Sequence, residues 1–415
     1  MRRLSVSDDQ NKKVIWIINQ YAGAFSDVAA GRHFNFARGL VSLGYEVFLV
    51  MAARSHLFEI SDLGPGRLTC DVRDGINLVY VDVPAYSRSS SVKRVLGWFL
   101  FSRRLSRLEA LLEKKPDVIY YSSLSLVGYL GAEKLSRKLD APIIFEVRDI
   151  WPLTLVELGG VSRWHPLVIF LQWIEDAAYK KSTYFFSNLE NLPEHIGSRV
   201  KRSINFEWIP NGVNQYDSTM LPDYDLQFPD GHFVVGYTGS IGTANSMITL
   251  IESAKELQGE KISFVIAGDG EQLASLRGYV EENNLLNVHF LGRIPKTDVP
   301  ALLQKFDACY IGWGNNPLYR FGIGANKIPE YLYSGKPILH SYSGGADPVS
   351  KYQAGITIPA EDSKSLSQAI LALKDMPESE RAKMGANGRS AAEQHYLFSA
   401  ITKKIDSALR EVING

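Results

Sequence analysis

The residues from Tyr319 to Pro337 read Tyr-Arg-Phe-Gly-Ile-Gly-Ala-Asn-Lys-Ile-Pro-Glu-Tyr-Leu-Tyr-Ser-Gly-Lys-Pro. Gly322 and Gly324 make a flexible turn, Pro329 suits the first turn of a helix, and Gly335 ends it. Free N–H groups at such a helix start, with the positive end of its dipole, form a seat for a diphosphate. Gly324 and Asn326 lie on that approach, Lys327 adds a full positive charge, and Glu330 is placed to accept two hydrogen bonds from ribose hydroxyls. The bland alternative is a surface helix whose Lys and Glu are merely solvated. Single positions allow it, but the complete string argues against it.

Other turns carry weaker signals. Tyr237-Thr-Gly239-Ser240-Ile-Gly242-Thr243 follows an apolar run, and its small residues let backbone amides approach a phosphate. Many strand-to-helix turns hold glycine for steric reasons alone, and Ala267-Gly268-Asp269-Gly270 reads as such a structural turn. Gly292-Arg293-Ile294-Pro295 can flank a nucleotide base through its backbone. In the first half, Glu146-Val-Arg148-Asp149-Ile-Trp151-Pro152 directly follows an apolar run, so Arg148 and Asp149 are candidates for catalytic, acceptor or sugar contact, with a structural ion pair as the alternative. Gly23, Gly31, Arg32 and His33 follow the first apolar run in the same way. Asp223-Tyr-Asp225 has an acid-x-acid spacing, but it lies in a polar stretch and reads as a solvated loop. No other carboxylate cluster suggests a metal.

The elements that must position these groups alternate. Short apolar runs at Val14–Ile18, Glu46–Met51, Leu78–Val81, Val118–Tyr121, Ile143–Glu146, Tyr184–Phe186 and Glu207–Ile209 read as parallel strands covered by helices on both faces. One helix is expected from Arg32 to Leu43. After a polar segment the pattern restarts at Phe233–Tyr237, with strands near Ile262–Ala267, Val288–Leu291, Ala308–Ile311, Pro337–Leu339 and Ile356–Ile358. Helices from Glu378 to Val412 close the chain. The expected division is 1–212, a linker at 213–231, a second domain at 232–395 and a final helix at 396–415 that packs back on the first domain. Two doubly wound Rossmann-like α/β domains facing a central cleft bind ligands beyond the carboxyl ends of their strands.

Bulk properties set outer bounds. With 415 residues the chain suits two cores. Its 45 basic and 45 acidic side chains cancel, leaving no global field to recruit nucleic acid. Cys70 and Cys309 stand far apart without metal-ligand spacing, which fits a reducing compartment. Met1 to Lys13 lacks the apolar stretch of a signal peptide, and no run reaches a membrane span. The expectation is a cytoplasmic protein.

Taken together, Ile18-Asn-Gln-Tyr-Ala-Gly23 with Gly31-Arg32-His33, Glu146 to Pro152, Ile209-Pro-Asn-Gly-Val213, Ala267 to Gly270 and Asn326 to Pro337 resemble the retaining glycosyltransferases of family four, over nearly the whole chain. The nearest branch is the bacterial one that builds surface polysaccharides, including the L-fucosamine transferase type. The resemblance implies the GT-B fold, a nucleotide sugar bound by the second domain as substrate with no cofactor or metal, and an acceptor bound by the first. The donor is expected to be UDP-linked, the transferred group a hexose or N-acetylhexosamine, and the acceptor a saccharide or polyprenyl-diphosphate-linked saccharide. Glu330 matches the second glutamate of the family's pair. The first would fall at Gly322, and the family's Arg and Lys after Gly239 are missing, so Lys327 is the candidate to replace part of that charge. Arg148 stands where many relatives carry histidine. Retention is described in the family as front-face attack without a protein nucleophile. The alternatives are a nucleotide-sugar epimerase and an inactive nucleotide-sugar-binding scaffold.

Residues 88–115 hold Arg88, Lys93, Arg94, Arg103, Arg104, Arg107, Lys114 and Lys115 against Glu109 and Glu113, interleaved with Trp98, Phe99, Leu100 and Phe101. At helical spacing Lys93, Arg103, Arg104 and Arg107 share an arc, which suits reversible contact with the inner face of the plasma membrane. A buried helix with a solvated basic edge is the alternative.

Overall fold

The computed structural model describes residues 12–23, 31–54, 68–85, 92–123 and 125–415; Arg88 lies outside them. The chain forms two compact units. Unit 1 holds the residues up to Asn188, Pro193–Ile209 and Ile401–Gly415; unit 2 holds Leu189–Leu192 and Pro210–Ala400.

In unit 1, β1 (Val14–Ile18), β2 (Glu46–Ala52), β3 (Leu68–Arg73), β4 (Ile76–Val81), β5 (Val118–Ser122), β6 (Ile143–Val147), β7 (Tyr184–Ser187) and β8 (Phe206–Trp208) form one sheet in the order β3-β4-β2-β1-β5-β6-β7-β8. Every pair is parallel except β3 with β4. Strands β1, β5 and β6 are buried at all positions, as continuous apolar runs inside a doubly covered sheet must be. Strand β3 is absent from the sequence expectation because its Leu-Thr-Cys-Asp-Val-Arg is half-exposed and breaks the apolar pattern. Its signal lies in the turn: Asp74 and Gly75 both take positive φ, 51° and 74°, the geometry of a tight hairpin. Helices α1 (Arg32–Ser42), α2 (Val92–Leu105), α3 (Leu126–Leu139), α4 (Leu153–Glu157), α5 (Pro166–Lys181) and α6 (Leu192–Arg199) complete the first half.

Unit 2 repeats the design with β9 (Phe233–Thr238), β10 (Ile262–Ala267), β11 (Val288–Gly292), β12 (Ala308–Gly312), β13 (Ile338–Ser341) and β14 (Gly355–Ile358), all parallel, in the order β11-β10-β9-β12-β13-β14. Its helices are α7 (Met247–Glu256), α8 (Leu273–Glu282), α9 (Val299–Gln304), α10 (Lys327–Ser334), α11 (Pro348–Lys351), α12 (Ser363–Asp375) and α13 (Glu378–His395). Val235, Ile266, Leu250, Leu339 and Ile370 pack in its core.

The final helix α14 (Phe398–Asn414) buries Ile401, Ile405 and Leu409. Residues 401–415 count with unit 1 because α1 offers them a seat: a Cβ on Gly39 would sit 2.3 Å from Thr402 Oγ1, and Tyr45 Oη donates to Asp406 at 2.6 Å. The unit boundaries fall at 209/210 and 400/401, whereas the sequence placed them near 212 and 395. Residues 213–231 count with unit 2, where Val213 N donates to Tyr396 O at 2.9 Å and Val213 bridges Leu397.

In each sheet one strand has neighbours toward which the chain runs in opposite directions: β1 between β2 and β5, and β9 between β10 and β12. Such switch points open a crevice beyond the carboxyl ends of the strands, where doubly wound sheets bind ligands.

Candidate functional site

In unit 2 the switch strand β9 ends in Thr238 and Gly239. Thr238 N donates to Tyr331 Oη at 2.7 Å, and Tyr331 Oη lies 3.2 Å from Thr238 O. A tyrosine on the first turns of α10 thus ties that helix start to the end of β9. Gly239 has φ 142° and its N donates to Ala267 O at 2.9 Å. A Cβ on Gly268 would meet Gly239 O at 1.8 Å, so the second glycine turn is a packing turn against the first.

Lys327 opens α10, capped at its N-terminus by the exposed Asn326 without a side-chain bond. Its Nζ donates to Asn245 Oδ1 at 2.9 Å and lies 5.1 Å from the centre of the Tyr237 ring. A Cβ on Gly239 would come within 2.3 Å of Lys327 Cε, so only glycine leaves room for the ammonium beside the turn. Burial pulls Lys327 down to about 8, against the pull of Glu330 and with added repulsion from Lys296. Glu330, one turn on, forms an ion pair with Lys296. Lys296 follows the exposed Arg293 and half-buried Ile294 beyond β11. Gly324 O accepts from Asn211 Nδ2 at 2.5 Å, and Ser240, exposed, offers its carbonyl to Asn245 Nδ2 at 3.0 Å. Gly239, Asn245, Lys327, Glu330 and Lys296 are therefore brought together. Asn245 and Lys296 were missed in the sequence because each lies just past the segment that carried the signal, Asn245 two residues beyond Thr243 and Lys296 one beyond Pro295.

Gly322 has φ 100°, and a Cβ there would lie 3.2 Å from Glu190 N. The chain at 189–191 docks on this turn, with Asn191 N donating to Phe321 O at 3.1 Å and Asn191 Nδ2 to Arg320 O at 3.1 Å. A glutamate side chain at 322 would need a left-handed backbone and the space that Glu190 fills.

In unit 1 the carboxyl end of β6 holds a buried ion cluster. Glu146, wholly buried, accepts from Arg32 Nη2 and Nε on Oε1 at 2.7 and 3.0 Å and from His33 Nε2 on Oε2 at 2.6 Å. Burial alone would raise the Glu146 carboxyl, yet Arg32, His33 and Arg148 together hold it well below the usual range. Burial lowers His33, outweighing Glu146, and Arg148 and Arg32 push the same way. The ring is then neutral: Nε2–H donates to Glu146 and Nδ1 accepts from Asn19 Nδ2 at 2.9 Å. Arg32 also donates to Ile209 O at 2.5 Å.

Arg32 and His33, expected as contacts to a ligand, are instead internal, their side chains only 7% and 2% exposed. Both bind Glu146. Gly31 N donates to Gly23 O at 3.2 Å just ahead of α1. Glu146 itself was quoted in the sequence without a role; its signal was a lone carboxylate inside the apolar run Ile143–Val147.

Arg148 is half-buried and Asp149 exposed just beyond β6. Burial, then Arg32, lowers Arg148. Four polar atoms at the carboxyl ends of neighbouring strands are buried with no partner: Gln20 Oε1 after β1, Ser122 Oγ on β5, Arg148 Nε after β6 and Asn188 Oδ1 after β7. Buried polar atoms are ordinarily bonded, so this row is hydrogen-bonding capacity that the surrounding protein leaves unused.

Asp223 pairs with Lys305 at 2.5 Å on the surface, the solvated role expected of it. Among the described residues no three His, Cys, Asp or Glu side chains gather as a metal site, and no helix is long and apolar enough to cross a membrane.

Comparison with known proteins adds to this geometry. Residues 224–391 match the family described as glycosyl transferases group 1, and residues 32–212 match the glycosyl transferase 4-like domain. A probable glycosyltransferase, WbjE, of Pseudomonas aeruginosa is 20% identical over 338 residues, 79% of this chain and 81% of that one. Among solved structures, sucrose-phosphate synthase from Thermosynechococcus elongatus superposes with a TM-score of 0.73 at 16% identity, covering 97% of this chain and all of that one. HepE of Anabaena, solved with UDP and glucose, superposes with a TM-score of 0.63 at 14% identity, covering 96% of this chain and 100% of that one.

Proposed function

We propose that this chain, a glycosyltransferase of the GT-B fold, transfers a hexosyl or N-acetylhexosaminyl group from a UDP-linked sugar bound in unit 2 to a saccharide or polyprenyl-diphosphate-linked acceptor bound in unit 1. The observation that carries this reading is the placement of Lys327 Nζ between Asn245 Oδ1 and Gly239, at the start of a helix tied to the end of β9.

Breaking the sugar–phosphate bond places negative charge on the diphosphate and oxocarbenium character on the sugar. Lys327, with the amides at the start of α10 and the turn at Gly239 and Ser240, meets that negative charge. Glu330 exchanges its Lys296 partner for the ribose hydroxyls, while Arg293 and Ile294 border the base. On the acceptor side, the unpartnered Gln20, Ser122, Arg148 and Asn188 atoms supply donors and acceptors for saccharide hydroxyls, with Asp149 at their edge. Transfer proceeds with retention, by front-face attack in which the leaving phosphate helps to take the acceptor proton. No protein nucleophile, cofactor or metal takes part.

UDP in the Anabaena structure supports the choice of nucleotide, and the resemblance to the L-fucosamine transferase type supports a role in surface polysaccharide synthesis at the inner face of the membrane. The test is incubation with a panel of UDP- and GDP-sugars, with and without chelator, followed by the anomeric configuration of the product. Hydrolysis or transfer confined to UDP-sugars, indifferent to chelator and with retained configuration, supports the reading. Binding without turnover across the panel refutes it.

A further inference from the structure

Two helices of unit 1 turn apolar side chains toward solvent. On α2, Phe101 and Leu105 face inward while Leu96 and Phe99 are 51% and 47% exposed. On α5, Val168, Leu171, Ile174 and Ala178 are buried while Ile169 and Trp173 are 52% and 58% exposed. The two faces are one surface: the Phe99 ring stacks on Phe170 at 6.0 Å, and Phe170 on Trp173 at 6.3 Å. Just ahead of α5, Trp164 stands 85% exposed. Single exposed apolar residues are ordinary, but a continuous aromatic patch marks an interaction site.

The fringe of this patch is positive. Lys93 and Arg103 share the outward face of α2, Arg163 precedes Trp164, and Lys180 continues the outward row of α5; all four are exposed. The acid nearest that row, Asp176, is paired with Arg199 at 2.8 Å. The cations expected from the sequence divide differently: Arg104 turns to Asp82 at 3.4 Å and Lys114 to Glu46 at 2.6 Å. Cations alone therefore do not make the surface; exposed aromatics ringed by cations do.

We propose that the α2–α5 face docks on an anionic bilayer, with Leu96, Phe99, Trp164, Ile169 and Trp173 entering the headgroup–acyl boundary and Arg103 and Arg163 meeting lipid phosphates. Tryptophan favours that boundary because its ring is apolar and its N–H is not. A second copy of this chain is the weaker occupant, because a two-fold interface would set the same cations against each other. The inference rests on the lipid-linked part of the proposed function only for its purpose; its test needs no acceptor.

The experiment is co-sedimentation with vesicles of phosphatidylcholine alone or mixed with phosphatidylglycerol. Wild type is expected to bind only the mixed vesicles, and less as salt rises. The variants Ile169→Gln with Trp173→Gln, and Arg103→Gln with Arg163→Gln, should each lose about tenfold or more in partitioning. Donor hydrolysis without vesicles should stay at the wild-type level, so failure here is distinct from failure of the transferase reading. Because the altered side chains are exposed, unchanged melting curves are expected. Lipids brominated in their acyl chains should quench the fluorescence of wild type more than that of Trp164→Phe. Vesicle binding equal in wild type and both variants, or none by wild type, overturns the proposal. So does a dimer in sedimentation velocity that the Trp173→Gln change abolishes, which would give the face to a second copy.

Discussion

Lys327 and Gly239 occupy complementary space: the ammonium of one fills the volume that a side chain on the other would need. A cation from α10 is thereby delivered to the turn after β9, where the chain itself reads Ser240-Ile-Gly-Thr-Ala and offers no charge. In the proposed function both residues serve the same event, charge stabilisation at the diphosphate.

Replacing Lys327 by Ala should lower turnover by about a hundredfold, the scale seen when one preorganised donor to a developing charge is removed, with a smaller loss of donor affinity. Gly239→Ala should mimic it by displacing the ammonium. Single-turnover kinetics beside calorimetric donor titration separates the two effects. Turnover near wild type in Lys327→Ala would move the charge elsewhere.

The depressed Lys327 gives two pH signatures of known sign. A diphosphate favours the charged amine, so donor binding above about pH 8 should take up a proton, visible as a binding heat that depends on buffer ionisation enthalpy. In the ligand-free protein the unfolded chain holds that proton from about 8 up to an ordinary 10.5, so this group makes stability rise with pH across that window. Lys327→Met should therefore be more stable than wild type near neutrality, with the gap narrowing toward pH 10.5 in urea titrations.

Glu330→Ala should weaken donor binding by about 1–3 kcal/mol, the cost of leaving ribose hydroxyls without their acceptor. Unchanged affinity in calorimetry, with the variant folded, would sink the ribose assignment.

Glu146→Gln removes the carboxylate that Arg32 and His33 share. Breaking a buried pair on one side costs about 3–5 kcal/mol, which urea denaturation should register near neutral pH. Because the folded carboxyl lies below its ordinary range, its contribution is present above the unfolded value and lost as pH falls through the folded one. The difference between wild type and variant should therefore shrink in acid.

Arg148→Ala should lower transfer to acceptor while leaving donor hydrolysis and donor affinity in place, since Arg148 belongs to unit 1. A measured loss of donor affinity would move Arg148 out of the acceptor role.

The strands were legible in the sequence because a parallel strand covered on both faces must be a short, mostly apolar run, and β1, β5, β6, β9 and β10 are such runs. The start of α10 was legible because Pro329 and Gly335 bracket it with strict backbone requirements. Strand β3 escaped, since a half-exposed edge needs no apolar pattern. Tertiary structure decided what pairs with what. Nothing local links Lys327 to Asn245, 82 positions away, or Arg32 to Glu146, 114 positions away. Sequence alone set Arg32 and His33 at the end of the first strand, as candidates to touch a ligand. The sheet order, with β5 inserted between β1 and β6, brought Glu146 beneath them and turned both inward. Residue type specifies what a group can do, and local pattern specifies the element that carries it. Partners come from strand order, because hydrogen bonds and ion pairs act over a few ångströms that only folding sets.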